Sequence, residues 1–242
     1  AWSRFINQCM KDALVNETRF TPLATVPLQD GAMAAQVLRE VMADSFGGIM
    51  IGTLPKGQGG NLDDPNLDPF WQAASDLKAA VVLHPMFLCG EPRLAEYDLV
   101  NAIGRVADTS IAVARLLFSG HLLKFPGVKL VLSHGGAALP FVLGRLARNF
   151  TIAQGKYADP RAGFEALYFD SVVFDVDAFE FLAKKSGPGR IMLGSDMPFP
   201  IGDLEPQKLI HAAHVDAKER DAILGGTAQH IFRVRADCWC RS

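Results

Sequence analysis

The sequence predicts an α/β fold, and two observations point to it. Short apolar runs of the kind that form buried strands alternate with segments in which apolar residues recur at helical spacing. The apolar runs show no polar alternation, which is typical of parallel strands covered by helices on both faces of a sheet. The pattern contains six strand–helix units, and a complete (β/α)₈ barrel has eight, so a six-stranded open sheet and part of a barrel both fit.

The predicted elements follow one another along the whole chain. The opening stretch, AWSRFINQCMKDAL, is an amphipathic helix that starts at Ala1, which suggests that the sequence begins part-way through a barrel. Six apolar runs then predict strands at 21–28, 47–53, 79–85, 128–136, 166–173 and 190–196. Between them, helical spacing predicts helices at 31–45, 68–78, 109–125, 138–150 and 177–186.

Composition and charge exclude several classes of protein. The chain has 242 residues, of which 49% are hydrophobic, enough for one large domain with a core. The net charge of −2 gives no electrostatic case for nucleic-acid binding. No apolar run approaches the roughly 18 to 20 residues of a membrane span, no signal peptide is visible, and the four cysteines form no disulfide or zinc pattern. We therefore expect a cytoplasmic protein that binds neither nucleic acid nor membranes.

Polar side chains end three of the apolar runs. VVLHP ends in His84, LVLSHGG contains His134, and IMLGSD ends in Asp196. Active sites of barrels and open α/β sheets lie at the carboxyl ends of the strands, so these groups are expected to converge there. Two imidazoles and one carboxylate could bind a divalent metal and supply a base for proton transfer.

Each of these residues also has a plainer interpretation. A single histidine at a strand end is often only hydrogen-bonded, and an aspartate near a proline is often a turn or helix-capping residue. Three such groups at corresponding strand ends nevertheless favour a site. Asp170, in LYFDS, is a candidate partner for one of the histidines. The histidines with weaker claims are His121, His211, His214 and His230.

Four segments together resemble the amidohydrolase-related metal-dependent decarboxylases: VVLHP, FPGVKLVLSHGGAALPFVLGR, YFDS and RIMLGSDMPFPIGDLEP. The resemblance covers nearly the whole chain, and the GSD-x-PFP-x-G-x-x-EP stretch is specific. It implies a distorted (β/α)₈ barrel and one divalent metal, most commonly Zn²⁺, with Mn²⁺ as the alternative. No redox cofactor is implied, and the sequence contains no dinucleotide-binding fingerprint.

The resemblance also implies roles for individual residues. His84 and Asp196 match metal ligands, and His134 matches the acid–base catalyst beside them, with Asp196 also at the catalytic centre. Arg145 matches an arginine that family members present to the substrate carboxylate across a dimer interface, which implies a homodimer. From the residues alone, Arg145 is either a solvated helix arginine or a fork for a carboxylate. Met86 stands where one family member has an aromatic substrate contact.

One departure from the family pattern concerns the beginning of the chain. The family's first strand carries an H-x-H pair with two further metal ligands, and no H-x-H occurs in this sequence. The first two strands would then lie upstream of Ala1. We therefore predict an incomplete barrel domain at 1–234, with a gap between the runs at 21–28 and 190–196, and a tail at 235–242.

Three functions remain open at this point. The first is a metal-dependent carbon–carbon lyase that removes carbon dioxide from a small unsaturated or aromatic carboxylic acid. The second is hydrolysis of a lactone or related bond at the same site. The third is a catalytically silent barrel fragment that binds metal weakly. The motifs do not separate the first function from the second.

Overall fold

Six parallel strands form one sheet in the computed structural model, which describes residues 1–56, 60–86, 91–232 and 234. Each strand pairs with the next along the chain, so the order is the chain order. β1 and β6 are not paired with each other within the described residues, which agrees with the predicted gap between the first and last runs. The strands are β1 Leu23–Ala24, β2 Gly48–Ile51, β3 Ala80–Leu83, β4 Lys129–Leu132, β5 Tyr168–Asp170 and β6 Ile191–Met192.

The two outer strands are shorter than the sequence predicts. The run at 21–28 pairs only over Leu23–Ala24, because Pro22 and Pro27 bracket it and proline has no N–H to donate to a ladder. The run at 190–196 pairs only over Ile191–Met192. Leu193 then donates its N–H to Ile223 O at 2.8 Å, so the chain leaves the sheet there.

Helices follow the strands and cover the outside of the sheet. The predicted helix at 109–125 is wrong at its start and in its middle: the helix begins earlier, at Arg105, and breaks at Gly120, whose φ of +76° does not continue a helix. Asp30 caps α2 by accepting the Met33 N–H at 3.0 Å. The helices are α1 Trp2–Ala13, α2 Gly31–Met42, α3 Asp68–Asp76, α4 Arg105–Phe118, α5 His121–Lys124, α6 Leu139–Ala153, α7 Pro160–Phe164, α8 Val176–Ser186, α9 Pro206–Ala212, α10 Ala217–Asp221 and α11 Thr227–Ile231.

The buried apolar side chains form two clusters on the two faces of the sheet. The larger lies between strands and helices and includes Val81 and Leu83 of β3. The smaller lies on the inner face and includes Ala80 and Val82 of the same strand, together with Val131, Met192 and Ile231. Because side chains alternate along a strand, His84, two residues after Val82, continues the inner face.

Two further predictions concern the C-terminal tail and the absence of a membrane span. The predicted tail at 235–242 lies outside the described residues. Among the helices of the described part, none combines the length and the apolar character needed to cross a bilayer.

Candidate metal centre

His84, His134 and Asp196 meet at the carboxyl end of the sheet. They follow β3, β4 and β6, and one ligand-type atom of each lies within 4.8 Å of the others. Nε2 of His84 is 3.3 Å from Oδ1 of Asp196, and Nε2 of His134 is 3.5 Å from Oδ2. Within the described residues, no other group of three or more such side chains has this geometry. The structure therefore brings together the three residues that the sequence singled out.

The three side chains are shielded from water but not sealed from it. Their exposed fractions are 13% for His84, 15% for His134 and 12% for Asp196. Burial, and then the charge of His134, lower the pKa of His84. The neutral imidazole is thereby favoured, and this is the form that binds a metal.

Unusual backbone angles point two of the three side chains toward the centre. His134 and Asp196 have φ values of +57° and +55°, in the left-handed region that residues with a Cβ rarely adopt. Gly135 and Gly136 continue the turn after His134, and a Cβ on Gly136 would lie 2.7 Å from the Phe169 ring. Such conformations persist only where the surrounding structure enforces them, and they concentrate at functional sites.

Asp170 supports the His134 turn through the backbone. Its Oδ1 accepts the N–H groups of Gly135 at 2.8 Å and Val172 at 3.1 Å. Burial raises the pKa of this carboxyl, and the two N–H donors and the nearby His134 act against that effect. The predicted partnership with a histidine thus takes an indirect form, since Nδ1 of His134 is buried and has no hydrogen-bond partner among the described residues.

Two exposed apolar side chains lie at the strand ends near the centre. The Phe199 ring stacks on the His84 ring with centroids 6.0 Å apart and an interplanar angle of 13°, and 53% of Phe199 is exposed. Met86, the predicted substrate contact, is also exposed and lies beside Gly52 at the end of β2. Phe199 thus presents an exposed apolar ring beside His84, and Met86 adds an exposed apolar side chain two residues after His84 in the chain.

The first half of α4 ties three strand exits together. Arg105 Nη1 donates to Pro85 O at 3.1 Å, after β3, and Ser110 Oγ accepts the Ala138 N–H at 3.1 Å, after β4. Asp108, buried on the same helix, accepts a hydrogen bond from the Thr53 hydroxyl, after β2. The roles of Arg105 and Asp108 were not predicted, because the predicted helix began at 109, after the first turn of α4.

Arg145 lies on α6 and is exposed. Its side chain makes no hydrogen bond or ion pair with any of the residues that the structure describes. Its predicted role toward a neighbouring subunit therefore stays a prediction.

The other four histidines do not join the centre. His121 Nδ1 is 2.7 Å from Ser119 Oγ, and His214 Nδ1 is 2.8 Å from Glu180 Oε1. His211 and His230 are exposed. None belongs to a potential metal-binding group within the described part of the chain.

Comparison with known proteins places this geometry in a family. The amidohydrolase family model matches residues 3–234. The chain belongs to the amidohydrolase family. The fold is accordingly the (β/α) barrel of this family, and the described residues of this chain form six of its strands.

Three similar proteins are decarboxylases by name. The 2-amino-3-carboxymuconate-6-semialdehyde decarboxylase of Dictyostelium discoideum is 33% identical over 220 residues, which are 88% of this amidohydrolase and 61% of the relative. The crystal structure of 5-carboxyvanillate decarboxylase from Sphingomonas paucimobilis superposes with a TM-score of 0.85 at 26% identity, over 97% of this chain and 73% of that one. A dihydroxybenzoic acid decarboxylase from Polaromonas, crystallised with manganese, has a TM-score of 0.84 at 22% identity, over 99% and 77%. This amidohydrolase thus spans about three fifths of the Dictyostelium protein.

Proposed function

We propose that this amidohydrolase is a metal-dependent decarboxylase of a small unsaturated or aromatic carboxylic acid. The observation that carries the proposal is the convergence of two imidazoles and one carboxylate, with donor atoms within 4.8 Å of one another. The Dictyostelium and Sphingomonas proteins support it, because both are named as decarboxylases of such acids.

The donor set fits one divalent cation, which we infer to be Zn²⁺ or Mn²⁺, with His84 and Asp196 as ligands from this chain. Imidazole nitrogen and carboxylate oxygen suit both metals. Manganese is the alternative because the Polaromonas decarboxylase, which shares the fold, was crystallised with it. The lowered pKa of His84 supports metal binding, since the ring need not lose a proton first. When bound, such a cation polarises substrate oxygens and acidifies bound water.

His134 is the group that we propose moves the proton. Its Nε2 faces the centre, 3.5 Å from Asp196 Oδ2. In decarboxylation, the bond between the carbon skeleton and the carboxylate breaks, carbon dioxide leaves, and the electron pair stays on the carbon. That carbon then takes a proton from Nε2 of His134. Met86 and the exposed face of Phe199 offer the apolar part of the substrate a surface.

Arg145 adds a partner subunit to the proposal. Its exposed guanidinium has no acidic partner within the described residues, and α6 presents the exposed side chains of Phe141 one turn before it and Ile152 two turns after it. We infer a homodimer in which Arg145 binds the substrate carboxylate in the partner's site. Co-expression of Arg145→Ala with His134→Gln chains tests this, because a mixed dimer would contain one intact site. Activity restored to about a quarter of wild type supports the exchange, and no restoration contradicts it.

The main experiment separates metal binding from chemistry. Asp196→Ala should lose bound metal, measured by elemental analysis of the purified protein. His134→Gln should keep most of the metal and lose carbon dioxide release by a factor of about 10² to 10⁴. His230→Gln, an exposed histidine, is the matched control and should match wild type.

The substrate panel should contain aromatic acids, unsaturated acids and lactones. Carbon dioxide release from an acid supports the decarboxylase, whereas ring opening of a lactone without carbon dioxide release would replace it by the hydrolase. Wild-type protein that neither binds metal nor turns over any member of the panel would contradict the proposal.

A further inference from the structure

Arg105 lies beside the metal centre and plays no part in the function proposed so far. Its Nη1 donates to the carbonyl oxygen of Pro85 at 3.1 Å, and Pro85 directly follows His84. The side chain is half-buried. A guanidinium is therefore fixed at the rim of the site, next to the segment that carries His84 and Met86.

This guanidinium has no acidic partner within the described ranges of the chain. The acid nearest to it along α4 is Asp108, one turn further on, which is bonded to the Thr53 hydroxyl instead. A partly desolvated cation without a counter-charge is costly, and an anion beside it would offset that cost. The Arg105 guanidinium is therefore suited to pair with a negatively charged group of a ligand.

The free edge of Arg105 has the geometry that carboxylates bind. Arg4, Arg19 and Arg115 each bind a carboxylate through Nε and Nη2 together. In Arg105, Nη1 is engaged with Pro85, and Nε and Nη2 have no hydrogen-bond partner among the described residues. The edge suited to bidentate binding is thus left for a ligand.

The local backbone fixes where Arg105 lies. A π-helical segment, Val100–Gly104, precedes α4, and its last hydrogen bond runs from the Arg105 N–H to Val100 O. A π turn holds an extra residue and so shifts the side chains that follow it, and such turns are frequent at functional sites. The hydrogen bonds of Asp108 and Ser110 then hold the helix against the strand exits.

We propose that Arg105 binds a second carboxylate of the substrate, one that is retained, so that the site selects acids with two carboxylates. The inference rests on the proposed function, because the departing carboxylate must lie among His84, His134 and Asp196. A planar acid held there extends toward the rim, where the Nε–Nη2 edge of Arg105 binds its other carboxylate. Arg105 is accordingly a specificity-determining residue, and a monocarboxylic acid leaves it unpaired.

The experiment compares two acids that differ by one carboxylate, benzene-1,3-dicarboxylate and benzoate, by calorimetric titration of Mn²⁺-loaded protein. Wild type should bind the diacid at least tenfold more tightly. Arg105→Met should reduce that preference to less than threefold, with unchanged metal content. Arg115→Met, on the same helix but paired with Asp63, is the matched control and should keep the full preference.

A second variant separates loss of the bidentate contact from a change in folding. Arg105→Lys keeps the positive charge but loses the bidentate edge, and it should show a preference between those of wild type and Arg105→Met. Equal binding of the two acids by wild type, binding of neither, or an undiminished preference in folded Arg105→Met would overturn the inference. Each of these results leaves the proposed function standing, provided that the metal and carbon dioxide measurements hold.

Discussion

The middle strands and the edge strand of the sheet position the ligands of the metal centre by different means. β3 and β4 pair over four residues; His84 follows β3 directly, and His134 follows β4 with only Ser133 between them. β6 pairs with β5 over only two residues, and Asp196 follows it by way of a loop. The edge is held by single hydrogen bonds instead: Gly194 N–H to Ser171 Oγ at 3.1 Å and Asp203 N–H to Ser195 O at 2.7 Å.

The difference shows which ligand is easiest to disturb. A ladder of paired strands fixes the two histidines, so displacing them requires a break in the middle of the fold. Asp196 depends on a few side-chain and loop contacts, so its position can change while the core stays intact. The free energy of unfolding should accordingly depend mainly on the middle strands, and metal affinity should be sensitive to the contacts at the β6 edge.

The largest expected effect on stability comes from a cavity in the middle of the sheet. Leu132→Ala in β4 removes a fully buried side chain between strands and helices, and it should lower the free energy of unfolding by about 4 kcal/mol. Ile191→Ala in β6 should cost about 2 kcal/mol, because an edge strand can relax into the cavity. Urea unfolding of the two variants measures both values. An Ile191→Ala cost equal to or above that of Leu132→Ala would remove the distinction.

Removing the hydrogen bond that holds the chain after β6 should have a smaller effect on stability but a specific effect on metal binding. Ser171→Ala removes the acceptor of the Gly194 N–H, which should cost about 1 to 3 kcal/mol of unfolding free energy. Because the loop carries Asp196, metal affinity should fall by about 10- to 100-fold. Competition with a chelator measures it. Thr151→Ala, an exposed hydroxyl on α6, should change neither quantity, and a Ser171→Ala protein with wild-type affinity would contradict the prediction.

The smallest expected effect is a pH dependence of the free energy of unfolding, which originates at the buried His121 of α5. Burial lowers the pKa of His121 from its ordinary value of 6.5, although Asp68 and Asp63 act in the opposite direction. The folded protein therefore binds fewer protons than the unfolded chain just below pH 6.5. This part of the stability is complete above that pH and is lost as the pH falls toward the folded-state pKa.

Two variants isolate the contribution of His121. His121→Gln should lose less unfolding free energy than wild type between pH 7 and about pH 5.5, as measured by urea titration. Thr151→Ala, which removes no titratable group, is the control and should follow the wild-type slope. If the His121 variant keeps the full wild-type slope, the buried histidine is not the source.

The sequence predicted those parts of the fold and the site that depend on local pattern. Apolar runs ending in His84, His134 and Asp196 are visible in the sequence, and the barrel's geometry alone brings their ends together. The length of β1 was overestimated because hydrophobicity does not show which N–H groups find a partner beside prolines. Arg105 was missed for a related reason: a π turn is a backbone event without a side-chain pattern, so nothing marked the helix as starting before 109.

The three anchors of α4 have a mechanical consequence. Since Thr53, Pro85 and Ala138 are all bonded to one helix, that helix couples the exits of three neighbouring strands. A change in any one of those loops is resisted by the other two. The segment 197–205, which follows Asp196 on the far side, has no contact of this kind with α4 among the described residues and is therefore not coupled to the three exits. New substrates would therefore be accommodated by remodelling that segment, while the histidines keep their spacing.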